Sequence, residues 1–255
     1  MKQSERLEII IAEIYQNGHV QVTDLSERLG CSEVTIRSDI RLLDQQGVLK
    51  KTYGGAIRKE KELSIDFIPG EFYLNSEKKS RIAKRAYEYI ANGDSIIIDD
   101  STTGCYLAKC IKKFAEKEIT VVTNSILAAA ELSMASHVSL FIVGGHVIGN
   151  PPSALDNITV NDMKQFHVDK AFIGVNGINL NVGLTSMGTP QMDIKREIIN
   201  VSHETFVLAD SSKFDNRNLF TVCKFDKIDR IITDSEISKA TIQLAKLKKV
   251  LLDIV

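Results

Sequence analysis

Residues Thr23 to Arg58 read TDLSERLGCSEVTIRSDIRLLDQQGVLKKTYGGAIR, and this stretch decides the fold of the first part of the chain. TDLSERL, over 23–29, is a short helical run with Thr23 placed as its N-cap. Gly30 and Cys31 allow a tight turn, after which Ser32 caps a second helix that stops at Gly47. In that helix Ile36, Ile40 and Leu43 fall at i, i+4, i+7 and form a buried stripe. Val34, Arg37, Ser38 and Arg41 fall at the same spacing on the opposite face. A helix with one apolar face and one face of small, polar and cationic residues suits a DNA major groove. VLKKTYGGAIRK then gives two short strand-like runs joined across Gly54-Gly55, a wing hairpin. An ordinary amphipathic helical hairpin explains neither the wing nor the charge placement. The stretch reads as a winged helix-turn-helix. Its candidate DNA contacts are Ser32, Val34, Thr35, Arg37, Ser38 and Arg41 on the helix, with Lys50, Lys51 and Tyr53 on the wing.

The net charge of −1 over 255 residues does not advertise nucleic-acid binding, and residues 1–60 balance nine Lys/Arg against nine Asp/Glu. The signal lies in the distribution. From Val34 to Lys59, Arg37, Arg41, Lys50, Lys51, Arg58 and Lys59 face only Asp39 and Asp44. Such a stripe suffices for phosphate contacts and predicts modest non-specific affinity. Hydrophobic content of 44% and charged content of 25% are those of a globular protein. No run approaches the ~18 apolar residues of a membrane span, and MKQSERLE is no signal peptide, so a cytoplasmic location is expected. Cys31, Cys105, Cys110 and Cys223 are scattered, with no metal-ligand spacing, and reduced thiols are expected. Without a secretory route, the sequon Asn157-Ile158-Thr159 carries no weight.

Ahead of the reader, a helix around Glu5 to Gln16 presents Leu7, Ile10, Ile11 and Ile14 on one face. This domain, residues 1–57, has its core complete by about Ile57; residues 58–77 read as a linker with Pro69-Gly70, and 78–255 as a second domain. In that second part the apolar runs at 95–99, 119–123, 138–143, 170–174, 205–209, 230–233 and 250–254 predict strands. Helical patterns lie between several of them, at Ser80 to Ala91, Tyr106 to Phe114, Ile126 to Met134 and Met192 to Ser202. Strands rich in Val and Ile separated by helices imply a mostly parallel sheet covered on both faces.

Small polar residues and glycines follow these strands as DSTTG, NS, GGHVIGN, VNGI and DSSKF. Open α/β sheets bind ligands at that edge. Asp100, Ser101, Thr102, Thr103 and Gly104 lie between a strand and a helix start at about Thr103, where backbone N–H groups and hydroxyls can cradle an anion. A plain capping turn is an equal reading of that segment alone. Lys213 adds a cation at another strand end, and Asn124, Asn176 and Asp210 could orient hydroxyls. Lys195 is a further effector-binding candidate, although Lys195-Arg196 in a helix more often forms a solvated face. His146 has no clear carboxylate partner. No nucleophile-base motif, Walker loop or dinucleotide fingerprint occurs, and nothing asks for a metal or cofactor; Asp99 with Asp100 is the best candidate for paired carboxylates.

SEVTIRSDIRLL…GVLKKTYGGA resembles the N-terminal signature of the DeoR-type bacterial regulators of sugar metabolism. DDSTTG, TVVTNS, the Gly144-Gly145 pair, VDKAFIGVNGI, GLTS, DIKRE and VLADSSKF resemble their sensor domain, in the family's order over nearly the whole chain. The resemblance implies a winged helix-turn-helix followed by a mostly parallel α/β domain related to ribose-5-phosphate isomerase. It also implies a repressor of a sugar-utilisation operon, with operator DNA and a phosphorylated sugar as partners and a homo-oligomer, dimer or tetramer, as the working form. Ser38 stands where the family usually has a second Arg, and Tyr53 where a His often precedes the Gly-Gly. Ser101 replaces a common Gly, Gly104 a common Thr, and Gln191 a frequent Glu. The isomerases carry an acidic D-G-A-D-E motif where this chain has Gly174 to Ile178, which removes acid-base groups and leaves Glu197 as a possible survivor. The alternative reading is a sugar-phosphate isomerase-like enzyme with an appended DNA reader, and a further one is an architectural DNA binder with no effector.

Overall fold

The computed structural model describes residues 3–45, 48–58 and 70–255. The chain divides into two compact units, Met1–Ser76 and Glu77–Val255. The first contains α1 (Gln3–Asn17), β1 (His19–Gln21), α2 (Val22–Leu29), α3 (Glu33–Gln45), β2 (Leu49–Lys51), β3 (Gly55–Arg58) and α4 (Gly70–Tyr73). Ile10, Ile11 and Ile14 of α1 share one core with Leu25 of α2, the Ile36–Ile40–Leu43 stripe of α3, and Val48, Leu49 and Ala56 of the wing. Burying each such side chain contributes roughly 1.5–3 kcal/mol, so the expected stripes account for the packing.

Two details differ from the sequence reading. Thr23 does not cap α2: the helix begins at Val22, and Thr23 Oγ1 donates to Asp24 Oδ1 at 3.3 Å. The Val22 N–H instead donates to Gly54 O of the wing at 2.9 Å, so tertiary structure fills the role given to a side chain. The wing also gains a third strand. β1 pairs with β3, giving the order β1-β3-β2, and a Cβ on Gly55 would lie 1.9 Å from Val20 O. Three residues are too few to show a period. Ser32 caps α3 as expected, accepting from Thr35 N at 3.2 Å, while the stop at Gly47 lies outside the described residues. Of the linker expected over 58–77, residues 59–69 also lie outside them. Tyr73 packs on the core of the first unit, which therefore extends beyond Ile57.

The second unit begins with α5 (Ser76–Glu88) and continues through β4 (Ser95–Ile98), α6 (Thr102–Phe114), β5 (Ile119–Thr123), α7 (Ile126–Leu132) and β6 (Val138–Ile142). A hairpin of β7 (Val147–Ile148) and β8 (Ser153–Ala154), then α8 (Asn157–Met163), leads to β9 (Val168–Ile173). β10 (Gly177–Asn179), β11 (Gly183–Ser186), α9 (Thr189–Asn200), β12 (Ser202–Leu208), β13 (Phe220–Cys223), β14 (Arg230–Thr233), α10 (Lys239–Leu247) and β15 (Leu252–Ile254) follow. The seven runs expected as strands form one parallel sheet in the order β15-β14-β12-β9-β4-β5-β6.

Ile97, Val122, Ala171, Val207 and Ile231 belong to one buried cluster with Ile194 and Ile198 of α9. Phe172 stacks on Phe206 at 5.2 Å, and Tyr89 reaches Phe206 at 4.9 Å. Where both faces are covered, the strands read as unbroken apolar runs; β6 is the exception, with Phe141 and Ile142 exposed. The antiparallel sheet β10-β11-β13 was not legible, since its strands are short and mixed in polarity. Among the described residues no helix is long and apolar enough to cross a membrane.

Candidate functional site

α3 carries the first candidate site. Its apolar stripe is buried, so the opposite face is turned to solvent: Val34 is 77% exposed, and Arg37, Ser38 and Arg41 are exposed with it. Thr35 is half-buried beside the Ser32 cap. Arg37 donates to Glu33 at 2.7 Å one turn earlier, an exposed pair that a phosphate or base can replace at low cost. The acids expected to oppose the basic stripe are turned elsewhere. Asp39 is buried against Arg6 Nε at 2.7 Å and Gln3 Nε2 at 3.1 Å, and Asp44 accepts from Lys51 N at 3.0 Å. Lys50 and Lys51 are exposed on β2, and Tyr53 projects fully from the turn of the wing. Helix face and wing thus offer exposed cations and an exposed aromatic ring.

The second candidate site lies at the C-terminal ends of β4, β9 and β12, which are adjacent in the sheet. α6 starts at Thr102, one residue before the expected position, and Ser101 Oγ caps it by accepting from Gly104 N at 3.0 Å. Asp99, fully buried, accepts from Ser101 N at 3.0 Å and from Gly174 N at 2.8 Å. It therefore ties the β4–α6 turn to the end of β9. Gly174 permits this approach, because a Cβ there would lie 2.3 Å from Ser101 Cβ.

Lys195 of α9 enters the same knot, forming an ion pair with Asp99 and a 3.3 Å contact to Asp100 Oδ1. The solvated face considered for Lys195 is not what forms: the side chain is buried with its ammonium already engaged. Burial alone would strip its proton, but the two carboxylates outweigh that and raise its pKa. Asp100 is pushed up, by burial first and by repulsion from Asp99, against the pull of Lys195. Asp99 and Asp100 do meet, yet they share one lysine and hold loops. A free acid-base pair would leave one of them unengaged.

The remaining candidates divide by position. Asn124 is buried, donating to Ala154 O at 3.0 Å while its Oδ1 has no partner among the described residues. Ser125 beside it caps α7 and contacts Cys105 Sγ at 3.8 Å, and burial pushes that thiol up to about 12. Asn176 Oδ1 accepts from Ser186 Oγ at 3.3 Å and Met187 N at 3.4 Å. Thr103 and Gly104 are buried in the first turn of α6, and Thr102 is half-buried. Lys213 sits half-buried in a one-turn 3-10 helix, Ser211–Lys213, after β12, capped by Asp210. His146 lies exposed, and its backbone N–H, not its ring, donates to Asp156. Arg196 donates to the carbonyls of Val222 and Thr221. Glu197 is two residues from Lys195, about 200° around the helix, so it does not share the Asp99 knot.

Lys78 of α5 was not singled out from sequence. It donates to Glu236 at 2.7 Å and Ser211 Oγ at 3.3 Å and lies 3.7 Å from Asp234. Burial raises the Asp234 pKa less than the Ser211 and Glu236 N–H groups and Lys78 lower it, so its carboxyl sits below the ordinary range. No local pattern marks a contact spanning that much sequence.

The architecture is a winged helix-turn-helix unit followed by a parallel α/β unit. Residues 6–62 match the DeoR-like helix-turn-helix domain, and residues 74–235 match the DeoR C terminal sensor domain. The chain belongs to the DeoR family. It is 33% identical to the uncharacterized HTH-type transcriptional regulator YulB of Bacillus subtilis, over 97% of this chain and 95% of that one. It is likewise 33% identical to the putative aga operon transcriptional repressor of Escherichia coli O157:H7, over 92% and 87%. Among solved structures it is similar to ribose 5-phosphate isomerase A of Methanocaldococcus jannaschii, with 17% identity, a TM-score of 0.41 and 55% of each chain covered.

Proposed function

We propose that this protein is a cytoplasmic, sequence-specific DNA-binding repressor of a sugar-utilisation operon, controlled by a phosphorylated sugar. On this reading the first unit, which extends to Tyr73, reads DNA, and residues 78–255 sense the effector and hold the oligomer. The observation that carries it is the solvent-facing set Val34, Arg37, Ser38 and Arg41 on a helix whose other face is buried. One such helix touches few base pairs, so operator affinity needs at least two copies. The name of the putative aga operon transcriptional repressor favours repression of an operon as the activity.

The effector phosphate is assigned to the N-terminus of α6, with Ser101, Thr102, Thr103 and Gly104 as donors and Lys213 as counter-charge. Asp100, Asn124 and Asn176 supply acceptors and donors to hydroxyls. Lys195 acts through Asp99, fixing the cradle without touching the sugar. Control is by linkage: the effector favours an arrangement of copies whose reader helices no longer match the half-site spacing. The carboxylate pair shares one lysine and the Gly174 to Ile178 segment holds no acid, so the site is read as a binding site and not a catalytic one.

A thermal-shift screen of glucose 6-phosphate, fructose 1-phosphate, ribose 5-phosphate, galactosamine 6-phosphate and the parent sugars tests this. An effector at ~100 Kd stabilises the native state by about 2.7 kcal/mol. A shift given only by unphosphorylated sugars would remove the phosphate assignment, and steady isomerase turnover would replace the repressor reading with the enzyme.

A further inference from the structure

β6 is an outer strand of the seven-stranded sheet, and among the described residues no strand pairs with its free side. The Ile119 N–H donates to His137 O, and the Val143 N–H donates to Thr123 O, so odd-numbered residues of this segment turn their backbone groups toward β5. Backbone direction alternates along a strand, so Leu140 and Ile142 point N–H and C=O away from the sheet. The N–H of Val138 is already bonded to Ala135 O. Two complete donor-acceptor pairs are left.

Exposed edges are normally blunted by charge, proline or a bulge. The segment Val138–Ile148 contains no Lys, Arg, Asp, Glu or Pro. It instead presents Phe141, Ile142 and Val147 at 49%, 53% and 47% exposure. The opposite edge, β15, also shows apolar side chains, with Leu251 56% and Ile254 41% exposed, but they stand among charges. This strand is three residues long, its Asp253 is held by Arg85 at 2.7 Å and Tyr89 at 2.6 Å, and Lys246, Lys248 and Lys249 precede it.

In a twofold contact a surface meets itself, so a lysine cluster opposes like charges while an uncharged apolar edge is its own complement. The charges at the end of α8, which Phe166 links to Phe141, are Asp162 and Lys164, of opposite sign. Charge therefore selects a second copy of this chain as the occupant of β6.

We propose that β6 pairs antiparallel with β6 of a second copy, joining the two sheets edge to edge. The register follows from the free groups. Leu140 and Ile142 exchange hydrogen bonds with Ile142 and Leu140 of the second copy, and Phe141 faces Phe141 across the axis. That places the two Phe141 positions at a non-hydrogen-bonded site with Cα atoms ~4.5 Å apart.

Sedimentation equilibrium of the full chain at micromolar concentration tests the pairing. Phe141→Lys and Ile142→Lys should each halve the molecular mass, because like charges would meet across the axis, whereas Ile254→Lys on the other edge should leave it unchanged. Phe141→Cys should form a covalent dimer under mild oxidation, reversed by dithiothreitol and absent from the unsubstituted protein. This arm keeps the proposal testable if the lysine variants fold poorly. An unchanged mass in both lysine variants, or no cross-link at position 141, overturns the pairing. A wild-type chain that is monomeric throughout also overturns it.

Discussion

The exposed face of α3 and the first turn of α6 use the same side-chain types and hold them in opposite states. Both offer hydroxyls at a helix start, Ser32 and Thr35 in one and Ser101 to Thr103 in the other, with cations near by. On α3 the cations stand in solvent, and among the described residues the ion-pair partner of Arg37 is an exposed glutamate one turn away. At the sheet edge Lys195 is buried between two carboxylates, and Asp99 is committed to three elements at once. Solvated charge can move onto a polyanion at little cost, whereas buried charge has paid its desolvation in advance and fixes geometry. The two regions should therefore break in different ways.

The largest effect is expected at the knot. Lys195→Met leaves Asp99 and Asp100 buried without their cation, and removing one partner of a buried pair costs about 3–5 kcal/mol. Urea unfolding should show the loss in the transition of the second unit, and Asp99→Asn combined with Lys195→Met should recover part of it. A variant as stable as wild type would mean that the pair holds nothing. The same knot sets a pH dependence. The folded pKa of Asp100 is raised above its unfolded value, so its ionisation penalises the folded state. That contribution should improve as pH falls through the window between the raised value and the ordinary carboxylate value. Asp100→Asn should thus gain on wild type at neutral pH and lose that advantage in acid.

The reason this knot was only half legible is physical. The strands were, because burial on both faces writes Val and Ile runs into the inner strands, and all seven runs, the exposed β6 included, entered one sheet. The face of α3 was, because a helix repeats its exposure every few residues. Asp99 and Lys195 lie far apart in the chain and meet only through tertiary folding, so the sequence offered Lys195 as an effector contact or a solvated lysine and not as the partner of Asp99. The α2 cap was misplaced for a related reason: the wing carbonyl of Gly54 supplies what Thr23 does not. Hydrogen bonds across the fold leave no periodic trace.

An intermediate effect belongs to Lys213. If it meets the effector phosphate, Lys213→Ala loses a charge-assisted bond of about 1.5–3 kcal/mol, roughly a ten- to hundredfold fall in effector affinity. Operator affinity should stay within error. The parent sugar should bind both proteins alike, which calorimetric titration of two proteins with two ligands would show. Equal weakening of both ligands would make Lys213 structural.

On the reader side, Arg41→Ala and Arg37→Ala should each weaken operator binding by about 1–3 kcal/mol where the side chain reads a base. Where it holds a phosphate, the loss should be uniform across sequences and lower the salt slope by about one unit. Neither variant should alter unfolding of the second unit. Wild-type binding by both at two salt concentrations would mean that this face does not dock.

The smallest effect tests how lightly Arg37 is held. Glu33 is its only ion-pair partner among the described residues, with both side chains about half exposed. To reach DNA, Arg37 must leave or share that carboxylate, and the acid itself faces the phosphates. Exposed i,i+4 pairs contribute about 0.3–0.5 kcal/mol, so Glu33→Gln should lower stability by no more than that. Operator affinity should rise at low salt, with the gain shrinking as the Debye length falls from ~10 Å at 0.1 M toward ~3 Å at 1 M. The same substitution should leave the Lys195 knot and effector titrations untouched. If Glu33→Gln instead weakens operator binding, the glutamate is positioning Arg37 for a base, and the reader face is preorganised much as the sensor site is.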